Sequence, residues 1–389
     1  MSDELLRYRA EFPILANTTY LISNSLGAMP KAVYEAMHGY ADMWATRGVR
    51  AWEERWWMLA KQVGNEIGAL MNAPRDSVST HPNVTTCQAV VASCFDFSGK
   101  RNKIVYTDMN FPSVMYFWEA QRNRGARVHM VKTDDGITVP TERLLDAIDE
   151  ETLLVPVSHV IFRSAYINDA KEIIERAHKV GALVVLDIFQ SLGTVPVDVQ
   201  ALNVDFACGG VLKWLCGGPG VGYLYVRPDL GKKLQPTFTG WSAHDNPFEF
   251  AVGPIRYTEP PYRFMNGTPH VPCLEACLPG LKIIREVGIY RIRGNSKRQT
   301  ARLIELADQH GWRVNTPRDP EKRGGTVSID MPDSQEVSRE LLRREILVDW
   351  RPKAGVRMAP HFYNTDEELE FAISAVEEIL KDRAVPARH

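Results

Sequence analysis

One lysine stands alone in a long uncharged stretch. Lys213 lies in CGGVLKWLCGGPGVGYLYV, and no other charged residue falls between Asp205 and Arg227. An amine in an apolar, glycine-rich setting loses hydration. Its pKa falls, and the neutral form becomes a nucleophile toward an aldehyde. A lysine at a strand end that snorkels to solvent gives the same local pattern. Asp187 tips the balance. It closes the run LVVLD, at the carboxyl edge where α/β sheets place their ligands. A carboxylate there can cap a helix, or it can keep a heteroaromatic nitrogen protonated. An isolated lysine with an upstream acid is the pair that pyridoxal phosphate requires: an amine for the Schiff base and an acid for the pyridinium nitrogen.

A phosphate needs donors. NVTTCQAVVASCF runs from the Pro82-Asn83 turn into a helical apolar pattern, with Thr85 and Thr86 in its first turn. Free N–H groups and the helix dipole favour an anion at that place, and hydroxyls add donors. N-capping by threonine is the plainer alternative. Phe111, in MNFPSV, follows a strand and can stack on a flat ring or pack on the core. Arg357, in AGVRMAP, can clamp a carboxylate with two parallel bonds. Trp44, Trp52, Trp56 and Trp57 cluster with Arg47, Arg50 and Arg55. They suit either a packed helix or an aromatic substrate wall. Arg163, His244 and His159 are further candidates near the site.

These residues need a frame. Lys103–Thr107, Ala126–Lys132, Leu153–Ser158, Leu183–Asp187 and Val221–Val226 read as strands that are apolar throughout. Between them, 113–124, 141–150 and 169–180 read as helices, the first and last stopped by Gly125 and Gly181. Apolar strands alternating with helices indicate an α/β fold with a mostly parallel sheet covered on both faces. After Pro279 the pattern changes. A long helix over 281–310, strands at 326–330, 347–350 and 356–358, a helix at 334–344 and a last helix capped by Thr365 and Glu368 predict a small α+β domain. Three parts follow: an irregular, aromatic-rich N-terminal segment (1–60) contributing to the active site, a large cofactor-binding domain (61–279) and the small C-terminal domain (280–389).

Composition narrows the class. With 46 Lys plus Arg and 48 Asp plus Glu among 389 residues, the formal charge is 46 − 48 = −2. Nothing in that balance favours nucleic acid or an acidic membrane. There is no signal-peptide pattern at the start and no apolar run of bilayer length, so a soluble, cytoplasmic protein is expected. The six cysteines, Cys87, Cys94, Cys208, Cys216, Cys273 and Cys277, have no zinc-like spacing and read as buried, reduced thiols. No metal site is expected.

The run VVLDIFQSLG followed by CGGVLKWLCGGPGVGYLYVRP resembles the class V aminotransferase superfamily of fold-type I pyridoxal-phosphate enzymes. YLISNSLGAMP, NFPSVMY, TGWSAH, NGTPHVP and GVRMAPHFYN follow in the order of its kynureninase-like subgroup. The resemblance extends from about Tyr20 to Asn364. It implies a seven-stranded sheet in the large domain and a homodimer with composite sites. It makes Lys213 the Schiff-base lysine and Asp187 the partner of the pyridinium nitrogen. Thr85 and the Thr86 backbone bind phosphate, Phe111 stacks on the ring and Ser158 lies close by. Gln190 contacts the ring's phenolic oxygen, and Trp241 binds cofactor. Thr268 reaches the phosphate from the neighbouring subunit. Arg357 takes the substrate carboxylate, with Asn24 and Ser25 on a loop near the substrate.

Three positions depart from true kynureninases. Leu212 replaces the tyrosine before the lysine, Val114 an aspartate, and Gln190 a histidine. The expected function is a pyridoxal-phosphate enzyme that removes the Cα proton of an amino acid. Kynureninase-like lyase or hydrolase chemistry is favoured, with transamination or epimerisation as the alternative. A non-catalytic scaffold would require loss of Lys213, loss of Asp187 or an added DNA-binding module; both residues are present and no such module is expected. Cysteine desulfuration is disfavoured, because no cysteine follows Cys277.

Overall fold

The computed structural model describes residues 2–384. Seven strands form the central sheet. Their spatial order is Val78–His81, Gly222–Val226, Phe206–Gly210, Leu183–Asp187, Thr152–Ser158, Lys103–Thr107 and Arg127–Val131. The last five in that order run parallel, whereas Gly222–Val226 pairs antiparallel with both of its neighbours. Side chains alternate between the two faces, as the strand pleat requires. Val184 and Leu186 enter one apolar cluster and Val185 enters another. Both faces of the inner strands are covered, which explains the unbroken apolar runs through Leu154–Val157 and Leu183–Leu186.

A second, four-stranded antiparallel sheet has the order Asp349–Arg351, Gly355–Met358, Val327–Asp330, Arg313–Val314. It has its own core with the helices Ile289–Gln309, Ser334–Arg343 and Asp366–Ala384. The reciprocal cap of the last helix is present: Glu368 N–H donates to Thr365 Oγ1 at 3.2 Å and Thr365 N–H to Glu368 Oε2 at 2.9 Å. Thr19–Tyr20 pairs in parallel with Ile346–Leu347, tying the N-terminal arm to this part.

Several expectations are corrected. The N-terminal segment is not irregular: a 16-residue helix, Ala32–Arg47, occupies it with none of its residues buried. The helices Trp57–Leu70 and Val271–Val287 run across positions 60 and 279 and so bridge the expected parts. The long helix expected over 281–310 is two helices, Val271–Val287 and Ile289–Gln309, because Gly288 turns the chain with φ 86°. The single strand expected over 347–350 divides between two sheets at Val348. Among the cysteines, all free, Cys94 and Cys273 are only half-buried.

Candidate active site

The parallel strands deliver Ser158 and Asp187 to one edge as register partners, and Asp187 is in turn opposite Cys208. The chain then leaves the Phe206–Gly210 strand in the loop that carries Lys213. Asp187 is buried, and Phe189 N–H donates to its Oδ1 at 2.9 Å. Burial pushes its carboxyl up to about 6, against the opposing pull of the Phe189 amide and the Lys213 charge. Burial likewise pushes the Lys213 amine down to about 8; Asp187 works against this and Arg357 adds to it. Lys213 Nζ lies 4.3 Å from the Phe189 ring centroid and 5.6 Å from that of Phe111. Phe111 begins its helix with Pro112 behind it and meets Phe162 edge to face at 5.2 Å.

An N-terminal loop closes over this lysine. Gly27 N–H donates to Leu212 O at 2.8 Å. A Cβ at Gly27 would lie 2.1 Å from Lys213 O, so only glycine permits the approach. Asn24, on the same loop, is 1% exposed, and neither end of its side-chain amide has a partner. Its backbone oxygen accepts from Gln190 Nε2 at 2.9 Å, while Gln190 Oε1 accepts from Trp214 Nε1 at 3.0 Å. Gln190 thus joins this loop to the residue after Lys213 and keeps one amide hydrogen. Ser25 is half-buried beside Asn24.

The other expected residues fall as follows. Asn83 caps the helix Val84–Ser93 and takes the Thr86 N–H at 3.0 Å, so that backbone donor is occupied; the Thr85 side chain stays exposed. Thr86 and Thr268 line the same cavity of about 270 Å³ within one chain. Trp241 packs among Trp57 (5.1 Å) and Phe248 (5.5 Å). With Trp52, Trp57 and Thr268 it lines a separate groove of about 780 Å³. Trp52, Trp56 and Trp57 follow the packing alternative: Trp52 meets Trp56 edge to face at 5.3 Å, and Trp57 stacks on Tyr262 at 5.8 Å, whereas Trp44 is exposed. Arg55 pairs with Glu275 and Arg47 with Glu54. His244 belongs to a local turn, accepting Asn246 N–H at 3.1 Å. His159 is buried, and burial pushes its imidazole down to about 4, which keeps it neutral.

Arg357 is buried and not free. Its Nε and Nη2 donate to Asp349 Oδ1 and Oδ2 at 2.7 and 2.5 Å, and Nη1 donates to Phe162 O at 2.6 Å. A guanidinium has five N–H groups. Three are used here, so Nη1 and Nη2 each retain one hydrogen. Asp349, Phe162, Phe189 and Trp214 were not singled out in the sequence. Period-two alternation through DWR sets the face of Asp349 but not the register that brings it to Arg357, so the sequence carried only part of the signal.

A free amine, a buried carboxylate, an aromatic face and an unpartnered amide gathered around the Lys213 loop fit the aldehyde, ring nitrogen and flat ring of pyridoxal phosphate. Comparison with known proteins agrees. The model of the family described as aminotransferase class-V matches residues 19–370. An uncharacterized aminotransferase, YcbU, of Bacillus subtilis (strain 168) is 32% identical, covering 95% of this chain and 96% of that one. A kynureninase of Bacillus thuringiensis subsp. konkukian (strain 97-27) is 30% identical over 98% and 92%. Among solved structures, the apo cysteine desulfurase of Thermococcus onnurineus NA1 superposes with a TM-score of 0.87 at 25% identity, covering 97% and 98%. The chain belongs to the class V aminotransferase family and is an enzyme of the fold-type I group whose cofactor is pyridoxal 5′-phosphate.

Proposed function

We propose that this enzyme acts on an α-amino acid by removing its Cα proton, with lyase or hydrolase chemistry at Cβ as in kynureninases. The observation that carries this is the Lys213–Asp187 pair at the sheet's carboxyl edge, with the amine pushed down to about 8 and the acid up to about 6. Bound pyridoxal phosphate supplies the electron sink that stabilises negative charge at Cα. Lys213 holds the cofactor and, once released, its neutral amine takes the Cα proton, a task suited to a base near working pH. Asp187 keeps a proton on the ring nitrogen. Phe111 would stack on the ring, with Ser158 and Gln190 as further residues that would contact it. The Thr85 hydroxyl and the first turn around Thr86 hold the phosphate. Arg357 presents its two remaining hydrogens to the α-carboxylate, and Asn24 and Ser25 face the substrate.

We also propose a homodimer in which the second copy brings Thr268 and Trp241 toward the phosphate. The helix Ala32–Arg47 buries none of its residues within one chain, and Tyr34, Trp44, Trp241, Phe248 and Phe250 are all exposed. Exposed apolar surface of this extent marks an interface. Sedimentation of a monomer at micromolar concentration would contradict it.

A second reading, transamination, has its own support. Leu212 stands where kynureninases carry a tyrosine, which removes a second proton carrier, and proton exchange between two carbons on one face needs Lys213 alone. The deciding experiment offers the holoenzyme L-kynurenine, and separately L-alanine with a 2-oxo acid. Anthranilate release from the first supports hydrolysis; amino-group exchange in the second supports transamination. No turnover and no spectral response to any amino acid would overturn the amino-acid function itself. None of the described helices is long and apolar enough to cross a membrane.

A further inference from the structure

The hairpin after the strand Thr152–Ser158 carries a cation that this chemistry leaves unused. Val160 pairs with Ile167 across it, and Ile161 N–H donates to Tyr166 O at 2.8 Å. Three contacts pin its tip. Ser164 Oγ donates to Ile137 O at 2.6 Å, Gly324 N–H donates to Ala165 O at 2.7 Å, and Ser328 Oγ donates to Arg163 O. Ala165 has φ 60°, a left-handed conformation that costs energy in a residue with a Cβ. The surrounding contacts impose that shape, and such imposed strain is concentrated at functional sites.

Arg163 is presented from this tip. Its guanidinium carbon lies 5.4 Å over the Phe162 ring. Phe162 meets Phe111 at 5.2 Å, and Lys213 Nζ is 5.6 Å from Phe111. One aromatic pair therefore separates Arg163 from the reacting amine. Among the described residues, no carboxylate lies within 4.0 Å of Arg163.

The small sheet adds to the charge. Asp349 and Ser328 are both register partners of Arg357, and Arg351 is two residues from Asp349, so all four project from one face. Phe162 O and Arg163 O are both hydrogen-bonded from that face. The one Asp349 carboxylate is shared by Arg357 and Arg351, the latter at 3.0 Å. Two guanidiniums thus share one carboxylate, and a third, that of Arg163, has none within 4.0 Å among the described residues. A substrate α-carboxylate on Arg357 neutralises one of the two excess charges, and one remains at the half-exposed Arg163. An uncompensated cation beside a cleft draws and orients a second anion.

We propose that the substrate is an α-amino acid whose side chain ends in an anion, a carboxylate or sulfinate, and that Arg163 is the specificity-determining residue that receives it. This rests on the amino-acid function proposed above. A planar guanidinium takes either oxyanion with two parallel bonds.

The test compares charged and neutral isosteres on the holoenzyme: L-aspartate and L-cysteine sulfinate against L-asparagine, and L-glutamate against L-glutamine. The expected kcat/KM favours the acids by at least about 10-fold. Arg163→Ala should abolish that preference through KM while changing the amides by less than about 2-fold. Arg163→Glu should reverse the preference, and Arg163→Lys should retain part of it. Equal handling of acids and amides by the wild type would overturn the proposal, as would an Arg163→Ala variant that weakens both alike. If no amino acid of either kind reacts, the amino-acid function fails and this inference fails with it; turnover without preference refutes this inference alone.

Discussion

Asp349 and Arg357 face each other across adjacent antiparallel strands and are joined by two hydrogen bonds, of 2.7 and 2.5 Å. Arg357 is buried beside Phe162 O, which takes a third guanidinium hydrogen, and Asp349 is half-buried. The arginine that would clamp a substrate carboxylate is thus held by its Nε and Nη2 edge before any substrate arrives. Fixing that edge leaves the terminal hydrogens aimed in one direction, and such preorganisation reduces the entropy lost on binding.

Asp349→Glu should therefore separate geometry from charge. It keeps the carboxylate but lengthens its arm, so Arg357 stays paired and moves. We expect KM for the amino acid to rise by about 10-fold with kcat changed far less, because ground-state and transition-state binding fall together. Asp349→Asn should do more. It leaves a buried arginine without its counter-ion, a loss of about 3–5 kcal/mol in comparable pairs. Thermal unfolding and steady-state kinetics check both. Unchanged KM in Asp349→Glu would mean that Arg357 does not meet substrate.

The amine of Lys213 should titrate near the pH of assay. In cofactor-free protein it lies at about 8, so its capture of pyridoxal phosphate should accelerate as pH rises through that value. Asp187 holds this amine up. Asp187→Asn should then move the midpoint to lower pH. Stopped-flow capture rates between pH 6 and 10 measure it, and a midpoint near 10.5 would show an ordinary, solvated lysine.

Much of this site was legible because its residues break local rules. A lone charge in an uncharged stretch and an acid at a strand end are conspicuous, and Lys213 and Asp187 were found on that basis. The strands 183–187 and 103–107 were legible from unbroken apolar runs. What escaped depends on contacts distant in sequence. The strands Val78–His81 and Phe206–Gly210 are polar or glycine-rich, with no apolar run to announce them. Asp349 pairs with a residue eight positions away through a register that periodicity does not specify. The helix Ala32–Arg47 has a weak apolar stripe, since no residue of it is buried in the single chain.

Asp187 itself should cost stability when the cofactor is absent. Its folded value, about 6, is above the ordinary 3.8. A carboxyl raised in this way contributes stability below its unfolded value and loses it as pH rises through the folded one. Asp187→Asn should thus stabilise the cofactor-free protein above pH 6 by about 1–3 kcal/mol and leave it unchanged near pH 3. Denaturant melts at the two pH values test this. Equal effects at both would locate the cost in packing rather than in charge.

Asn24 makes the same trade without titrating. Both ends of its amide are buried and unpartnered, and each such group costs about 1–3 kcal/mol. A fold that keeps a penalty of this kind beside Lys213 keeps it for a ligand. Asn24→Leu preserves volume and removes both polar atoms. It should raise the unfolding temperature of the cofactor-free protein by several degrees. The same change should lower kcat/KM for the amino acid by about 10-fold or more. The two effects must appear together. Stabilisation with intact kinetics would mean that the amide meets neither cofactor nor substrate. Destabilisation would mean that an ordered water, making the bonds the protein does not, already satisfies Asn24.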